Sequence, residues 1–66
     1  MQAYQERVVK ERAELNEKIE KLKDFLVSDA IKSVPDRTRS QLVRQSTAMR
    51  AYRAILDERI ADFTGE

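Results

Sequence analysis

Residues 42–63 read LVRQSTAMRAYRAILDERIADF, and a large apolar side chain stands at every seventh position of this stretch. The repeat consists of Leu42, Met49, Leu56 and Phe63, with Ile60 beside it. A spacing of seven keeps side chains on one face of an α-helix, as in helices that pack along each other. The stretch therefore predicts a long amphipathic helix over about residues 36–64.

The first half of the chain carries a second apolar stripe with helical spacing, which predicts a helix over about residues 2–28. Its members are Tyr4, Val8, Leu15, Ile19, Leu22 and Leu26. The pattern breaks over about residues 29–35, and Ser33 with Asp36 resembles a capping box that starts the next helix. Two helices of similar length joined by a short turn predict an antiparallel hairpin, which forms a single domain over residues 1–66.

A hairpin of 66 residues encloses little core, because each apolar stripe meets only one other stripe. The chain has no cysteine and no histidine, so neither disulfides nor a metal site is expected to stabilise it. We therefore predict an all-α antiparallel two-helix hairpin that assembles into a helical bundle oligomer, a dimer or higher. The predicted oligomer core is Val8, Leu15, Ile19, Leu22, Leu42, Met49, Leu56, Ile60 and Phe63.

Small residues lie roughly opposite the Leu42 stripe on the second helix, and two interpretations of them stand. They are Ser40, Thr47, Ala51, Ala54 and Ala61. Small side chains allow close approach of another helix, so the face is a candidate oligomer contact. Alternatively, alanine is simply the best helix former for an exposed face.

Charge and composition argue against several classes of function. The 13 basic and 12 acidic residues give no strong positive field, which argues against binding to a nucleic-acid polymer. No apolar run reaches the roughly 18 residues of a membrane span, so we expect a soluble, intracellular protein. No nucleophile–base pair or metal-ligand cluster stands out, which predicts a protein that is not an enzyme and has no cofactor.

Polar residues interrupt both apolar stripes in the sequence. Helical geometry places Glu11 and Lys18 on or beside the first stripe, and Gln45, Tyr52 and Arg59 within the second. A turn near residue 33 sets Glu11 within one helical turn of Arg59. These residues either form a buried ion pair and fix the register of the bundle, or point into a pocket between hairpins.

Residues 37–53 carry five arginines and no acid. Arg39, Arg50 and Arg53 fall along one border of the second stripe, and Arg37 and Arg44 fall along the other. A guanidinium presents a planar fork of donors that suits phosphate oxygens, so these residues are candidates for anion binding. Alternatively, they are solvated or pair with acids of a neighbouring helix.

A set of residues along nearly the whole chain resembles a known group of proteins. The set comprises Tyr4–Val9 with Glu11, Glu14–Leu15, Lys18–Ile19, Lys21–Leu22, Gln45, Met49, Tyr52, Ile55–Leu56, Arg59–Ile60 and Phe63. It resembles the small uncharacterised helical-hairpin proteins of crAss-like and other phages. The resemblance implies a phage protein in the cytoplasm of the infected bacterial host and supplies no catalytic residues. The connection departs from the more acidic form of that group, because Arg37, Arg39 and Arg44 stand here.

By size, origin and architecture, the chain is also similar to small phage proteins that sequester nucleotide second messengers of bacterial immunity. The predicted function is such an anti-defence sponge, which binds a small phosphorylated nucleotide without cleaving it. The candidate ligand-binding residues are Arg53, Arg50, Arg59 and Tyr52, followed by Gln45, Tyr4 and Arg7. The alternative is a structural or adaptor module that binds a host or phage protein through helix packing.

Overall fold

The computed structural model describes residues 1–63 and contains two long helices that pack side by side. Helix α1 spans Ala3–Leu26, a short 3₁₀ helix spans Asp29–Ser33, and helix α2 spans Asp36–Phe63. The hairpin is a rod of 48 × 14 × 14 Å. The all-α two-helix hairpin predicted from the sequence is therefore confirmed. The predicted end of the second helix at residue 64 lies outside the described residues.

The turn between the helices is held by hydrogen bonds to backbone carbonyls. The Ser28 hydroxyl donates to the carbonyl of Phe25 at 2.7 Å, which closes the end of α1. Pro35 then occupies the N-cap position of α2, since its carbonyl accepts the first helical bond from the Arg39 N–H at 2.9 Å. The expected capping box is not formed within the described residues, because Ser33 is still part of the 3₁₀ helix.

The facing surfaces of the two helices form one continuous seam. Its positions are spaced alternately by three and four residues, at 5, 8, 12, 15, 19, 22 and 26 in α1 and at 42, 46, 49, 53, 56, 60 and 63 in α2, and all of them are buried or half-buried. Asn16, beside the seam, is half-buried as well. This is the pattern of helices that pack along their length with a repeat of seven. Among residues 1–63, the buried apolar residues are Val8, Leu15, Ile19 and Leu56, and Leu56 is 0% exposed.

All residues of the predicted oligomer core lie on this seam. Met49, Ile60 and Phe63 pack against the buried cluster, and Leu22 and Leu42 are half-buried. The Phe63 ring also packs against the Tyr4 ring in an edge-to-face arrangement, with ring centroids 5.8 Å apart. The apolar stripes therefore pack against each other within a single hairpin.

The expectation that Gln45, Tyr52 and Arg59 face the core of the hairpin is wrong. Tyr52 is 42% exposed, and Gln45 and Arg59 are exposed as well. The inner face of α2 consists of two rows of residues, each with a spacing of seven. One row contains Leu42, Met49, Leu56 and Phe63, and the other begins four residues after Leu42, not three, and contains Ser46, Arg53 and Ile60. A row three residues on would bury three large polar side chains, at a high cost in desolvation.

The alternative in which Glu11 and Arg59 form a buried ion pair is not realised within a single hairpin, where both residues are exposed. Lys18, expected on or beside the first stripe, is exposed too. The ion pair that joins the two helices is formed instead by Arg12 and Asp57.

Candidate functional site

Two surfaces flank the seam and carry most of the polar residues of interest. In each repeat of seven residues, the seam takes two positions that are three residues apart. The residue directly after the second of these positions lies on one side of the seam, which we call the Arg50 border; its members are Val9, Asn16 and Lys23 in α1 and Val43, Arg50 and Asp57 in α2. The residue directly before the first position lies on the other side, which we call the Tyr52 border; its members are Tyr4, Glu11, Lys18 and Phe25 in α1 and Gln45, Tyr52 and Arg59 in α2. In an antiparallel helix pair, like positions of the two helices lie on the same side.

An ion pair joins the helices along the Arg50 border. Arg12 Nε donates to Asp57 Oδ1 at 2.7 Å. This hydrogen bond lowers the pKa of Asp57, and the charges of Arg12 and Arg53 lower it further, whereas desolvation opposes the shift. The same hydrogen bond raises the pKa of Arg12. The pair is partly exposed, so its strength is screened by solvent.

A second polar contact joins the helices close to the first. Arg53 Nη1 donates to the Asn16 side-chain oxygen at 2.7 Å, and both residues are half-buried. Asn16 is neutral, so the contact fixes the position of the guanidinium without neutralising it. Sequence reasoning missed Arg12, Asn16 and Asp57. They could have been found by placing positions 46, 53 and 60 on the inner face of α2, because Arg53 then points toward α1.

A groove of about 240 Å³ opens between the helices near the turn. It is lined by Ile19, Lys23, Leu26, Val27, Ser46 and Arg50. Ser46 is a buried seam residue, and its small side chain leaves a gap where a larger apolar residue would fill the space. The groove thus combines an apolar floor with two cationic side chains, and its lining includes no carboxylate.

The guanidinium of Arg50 is oriented by its own helix. Its Nε donates to the Ser46 carbonyl at 3.4 Å, and its Nη2 lies 3.5 Å from the Thr47 hydroxyl. Neither Arg50 nor Lys23 forms an ion pair within residues 1–63, whereas Arg39 pairs with Asp36 at 3.9 Å. The positive charges at the groove therefore remain free to attract an anion.

The predicted ligand-binding residues do not converge in a single hairpin. Arg50 and Arg53 belong to the Arg50 border and the adjoining seam. Gln45, Tyr52, Arg59 and Tyr4 belong to the Tyr52 border, where Gln45 Nε2 lies 3.8 Å from Met49 Sδ. Arg7 is exposed outside both borders. Lys23, which faces Arg50 across the groove, was not among the predicted residues.

Metal chemistry and membrane insertion find no support in residues 1–63. That part of the chain contains no cluster of three or more His, Cys, Asp or Glu side chains that could hold a metal ion. Neither of its long helices is long and apolar enough to cross a membrane.

Within residues 1–63, the groove offers two cations without an ion pair beside an apolar floor, which suits the binding of an anion. A family model for Sequestin matches residues 2–62, nearly the entire chain. The chain belongs to the Sequestin family. Sequestin proteins are non-catalytic phage proteins that sequester immune signalling nucleotides. No curated protein and no solved structure matches the chain.

Membership in the Sequestin family confirms the function predicted from the sequence. The prediction named an anti-defence protein of phage origin that sequesters a nucleotide of bacterial immunity without acting as an enzyme. Membership also agrees with the resemblance to small helical phage proteins, as far as the chain being a small helical protein.

Proposed function

We propose that this Sequestin binds one class of small phosphorylated nucleotide through the arginines of α2 and holds it intact in a homo-oligomer. The observation that supports the proposal most directly is the cationic groove, where Lys23 and Arg50 line an apolar floor without a carboxylate. A phosphate oxygen is a strong acceptor for such donors, and each charge-assisted bond contributes about 1.5–3 kcal/mol.

The proposed ligand-binding residues divide by role. Arg50, Arg53 and Arg59 provide positive charge for phosphates, with Arg7 as a further cation. Tyr52 provides an aromatic face on which a base stacks, and Tyr4 provides a second one. Gln45 offers an amide that donates to and accepts from a base edge.

The separation of these residues supports an assembly of hairpins. The Arg50 border and the Tyr52 border lie on opposite sides of the seam, so one nucleotide cannot contact both on the same hairpin. A neighbouring hairpin that places its Tyr52 border against the first hairpin's Arg50 border would complete the site. Such a contact is heterologous, and it closes into a ring when the rotation between subunits allows.

Apolar exposure also supports assembly. Ile55 is 53% exposed and Tyr52 is 42% exposed, on adjacent turns of α2. The buried apolar cluster of one hairpin has four members, and full burial of each contributes only about 1.5–3 kcal/mol. A second hairpin that covers Ile55 and Tyr52 adds the burial that a chain of this size needs.

The proposed place of action is the cytoplasm of the infected bacterium, where a phage protein meets the messengers of its host. Isothermal titration calorimetry against cyclic dinucleotides, cyclic trinucleotides and ADP-ribose derivatives tests binding, and light scattering tests assembly. We expect one class to bind with a Kd well below about 100 μM, which corresponds to roughly 5.5 kcal/mol. Absence of binding across the panel, or a folded 7.7 kDa monomer, would contradict the proposal.

A further inference from the structure

We propose that the groove near the turn is the phosphate subsite of this Sequestin, with Lys23 of α1 and Arg50 of α2 as its two cationic ligands. The inference rests on the proposed function, because it takes the ligand to be a phosphorylated nucleotide. It adds the location of the phosphate and a ligand residue, Lys23, on the helix that carries none of the other principal contacts.

The groove owes its existence to one residue of the seam. Ser46 stands between Leu42 and Met49 along the inner face of α2, at a position where the repeat would otherwise place a large apolar side chain. Its small size leaves room beside the half-buried Leu26 and the exposed Val27, which form the accessible floor of the groove above the buried Ile19. A void in a seam costs packing energy, so its position beneath two cations is better explained by a ligand than by stability.

The two cations at the groove lack the polar partners on the facing helix that Arg12 and Arg53 have further along the same side of the seam. Further along the Arg50 border, Arg12 pairs with Asp57, and Arg53 bonds to Asn16 beside that carboxylate. Lys23 and Arg50 instead approach the groove from facing helices without an ion pair in residues 1–63. An anion between them removes their mutual repulsion and satisfies both donors.

The two cations differ in how they are prepared to bind. The Arg50 guanidinium makes two long contacts within its own helix, to the Ser46 carbonyl at 3.4 Å and to the Thr47 hydroxyl at 3.5 Å, which favour one orientation of its side chain. Lys23 is a flexible point charge whose ammonium can follow the ligand. Together they suit a phosphate that Arg50 contacts from α2 and Lys23 contacts from α1.

The size of the groove limits how much of the ligand it holds. Pockets that enclose a whole drug-sized ligand measure about 300–1,000 Å³, whereas this groove measures about 240 Å³. The phosphate therefore lies between Lys23 and Arg50, the adjoining sugar lies over Leu26 and Val27, and the base extends beyond the groove. Val27 is 80% exposed and forms the outer edge of the floor.

The test compares two lysines of α1. Lys23→Ala removes the charge at the groove, and Lys21→Ala removes the same charge from an exposed position two residues away. Binding is measured by calorimetry with inorganic pyrophosphate, cyclic di-AMP, cyclic di-GMP and ADP-ribose. For the best binder of this set, we expect Lys23→Ala to raise Kd about tenfold, and Lys21→Ala to change it less than about twofold.

A second variant, Ser46→Leu, fills the groove without changing charge. We expect it to keep or raise the melting temperature in circular dichroism and to raise Kd at least about tenfold. Equal affinity of wild type, Lys23→Ala and Ser46→Leu for a nucleotide that does bind overturns the groove as the phosphate subsite and leaves the proposed function standing. A loss of oligomer mass in Ser46→Leu also overturns it, since the groove would then be a contact between copies. Failure of the wild type to bind any of the four probes or a cyclic trinucleotide instead counts against the proposed function.

Discussion

Arg53 reaches across the seam from α2 and donates a hydrogen bond to the side-chain oxygen of Asn16 on α1, at 2.7 Å. Both residues are half-buried, and Asp57 lies close enough for the charge of Arg53 to lower the pKa of its carboxyl. Arg53 therefore has a partner on the opposite helix, whereas the hydrogen bonds of Arg50 stay within α2. This difference separates the effects that substitutions of the two arginines should have.

Substitution of Asn16 tests the structural role of Arg53. Asn16→Ala leaves a half-buried guanidinium without its acceptor, so we expect the free energy of unfolding to fall by about 1 kcal/mol. Urea unfolding followed by circular dichroism measures it, with Glu17→Ala, an exposed neighbour, as the control. In the Arg53→Ala background, Asn16→Ala should have almost no further effect. An equal loss in both backgrounds would show that the contact contributes nothing.

Acid conditions should weaken the link between Arg12 and Asp57. The hydrogen bond from Arg12 lowers the pKa of Asp57 in the folded state, so the folded state favours the ionised carboxyl. The stability that the ion pair contributes is therefore present above the unfolded-state pKa of about 3.9 and is lost as the pH falls through the lower folded-state value.

Urea titrations of the wild type and Asp57→Asn between about pH 2 and pH 7 test this expectation. The wild type should be the more stable protein near neutral pH, and the difference should shrink as the carboxyl protonates in acid. Glu58→Gln is the matched control, because Glu58 is exposed and makes no ion pair within residues 1–63. A difference that stays constant over the whole range would contradict the assigned ion pair.

Leu56 and Ile55 are adjacent residues with opposite environments, which makes them a matched pair. Leu56 is 0% exposed at the centre of the seam, and Ile55 is 53% exposed. Leu56→Asp buries a charge in the core, so we expect loss of helicity and dissociation of the assembly. Ile55→Asp should retain helicity in circular dichroism. Retained helicity and mass in Leu56→Asp would mean that the seam is not the core.

Tyr52 tests whether the second border takes part in binding. Stacking of a base on an aromatic side chain contributes about 1–3 kcal/mol, so we expect Tyr52→Ala to raise the Kd of the best nucleotide by about five- to a hundredfold. Tyr52→Phe keeps the ring and should bind as the wild type does. Equal weakening by both variants would assign the effect to the hydroxyl and contradict stacking. Calorimetry gives the Kd, and light scattering shows whether assembly is retained.

The sequence predicted the hairpin correctly because the apolar repeat specifies helices that pack along each other, and the proline-containing segment specifies a turn between them. Leu42, Met49, Leu56 and Phe63 fall on the seam, as a spacing of seven requires. The second row of the seam was harder to predict. The repeat alone does not say whether that row lies three or four residues after Leu42, and the error moved Tyr52 and Arg59 inward by one position.

The candidate site was less predictable than the fold, because it depends on which residues of two helices face each other. Arg50 was identified from the composition of residues 37–53, but Lys23 is one of several lysines in α1 and carries no local signal. The pairing of Arg53 with Asn16 likewise joins residues 37 positions apart. Only the register of the helices and the gap at Ser46 single out the groove.

Recovery of the bound nucleotide tests the central claim most directly. The protein is incubated with the tightest-binding member of the panel, the unbound ligand is removed by filtration, and the complex is heated to release what it holds. If the protein sequesters its ligand, the free nucleotide is depleted up to a fixed ratio of ligand to subunit, and heating returns it chemically intact. A free concentration that does not fall, or recovery of cleavage products, would contradict the account.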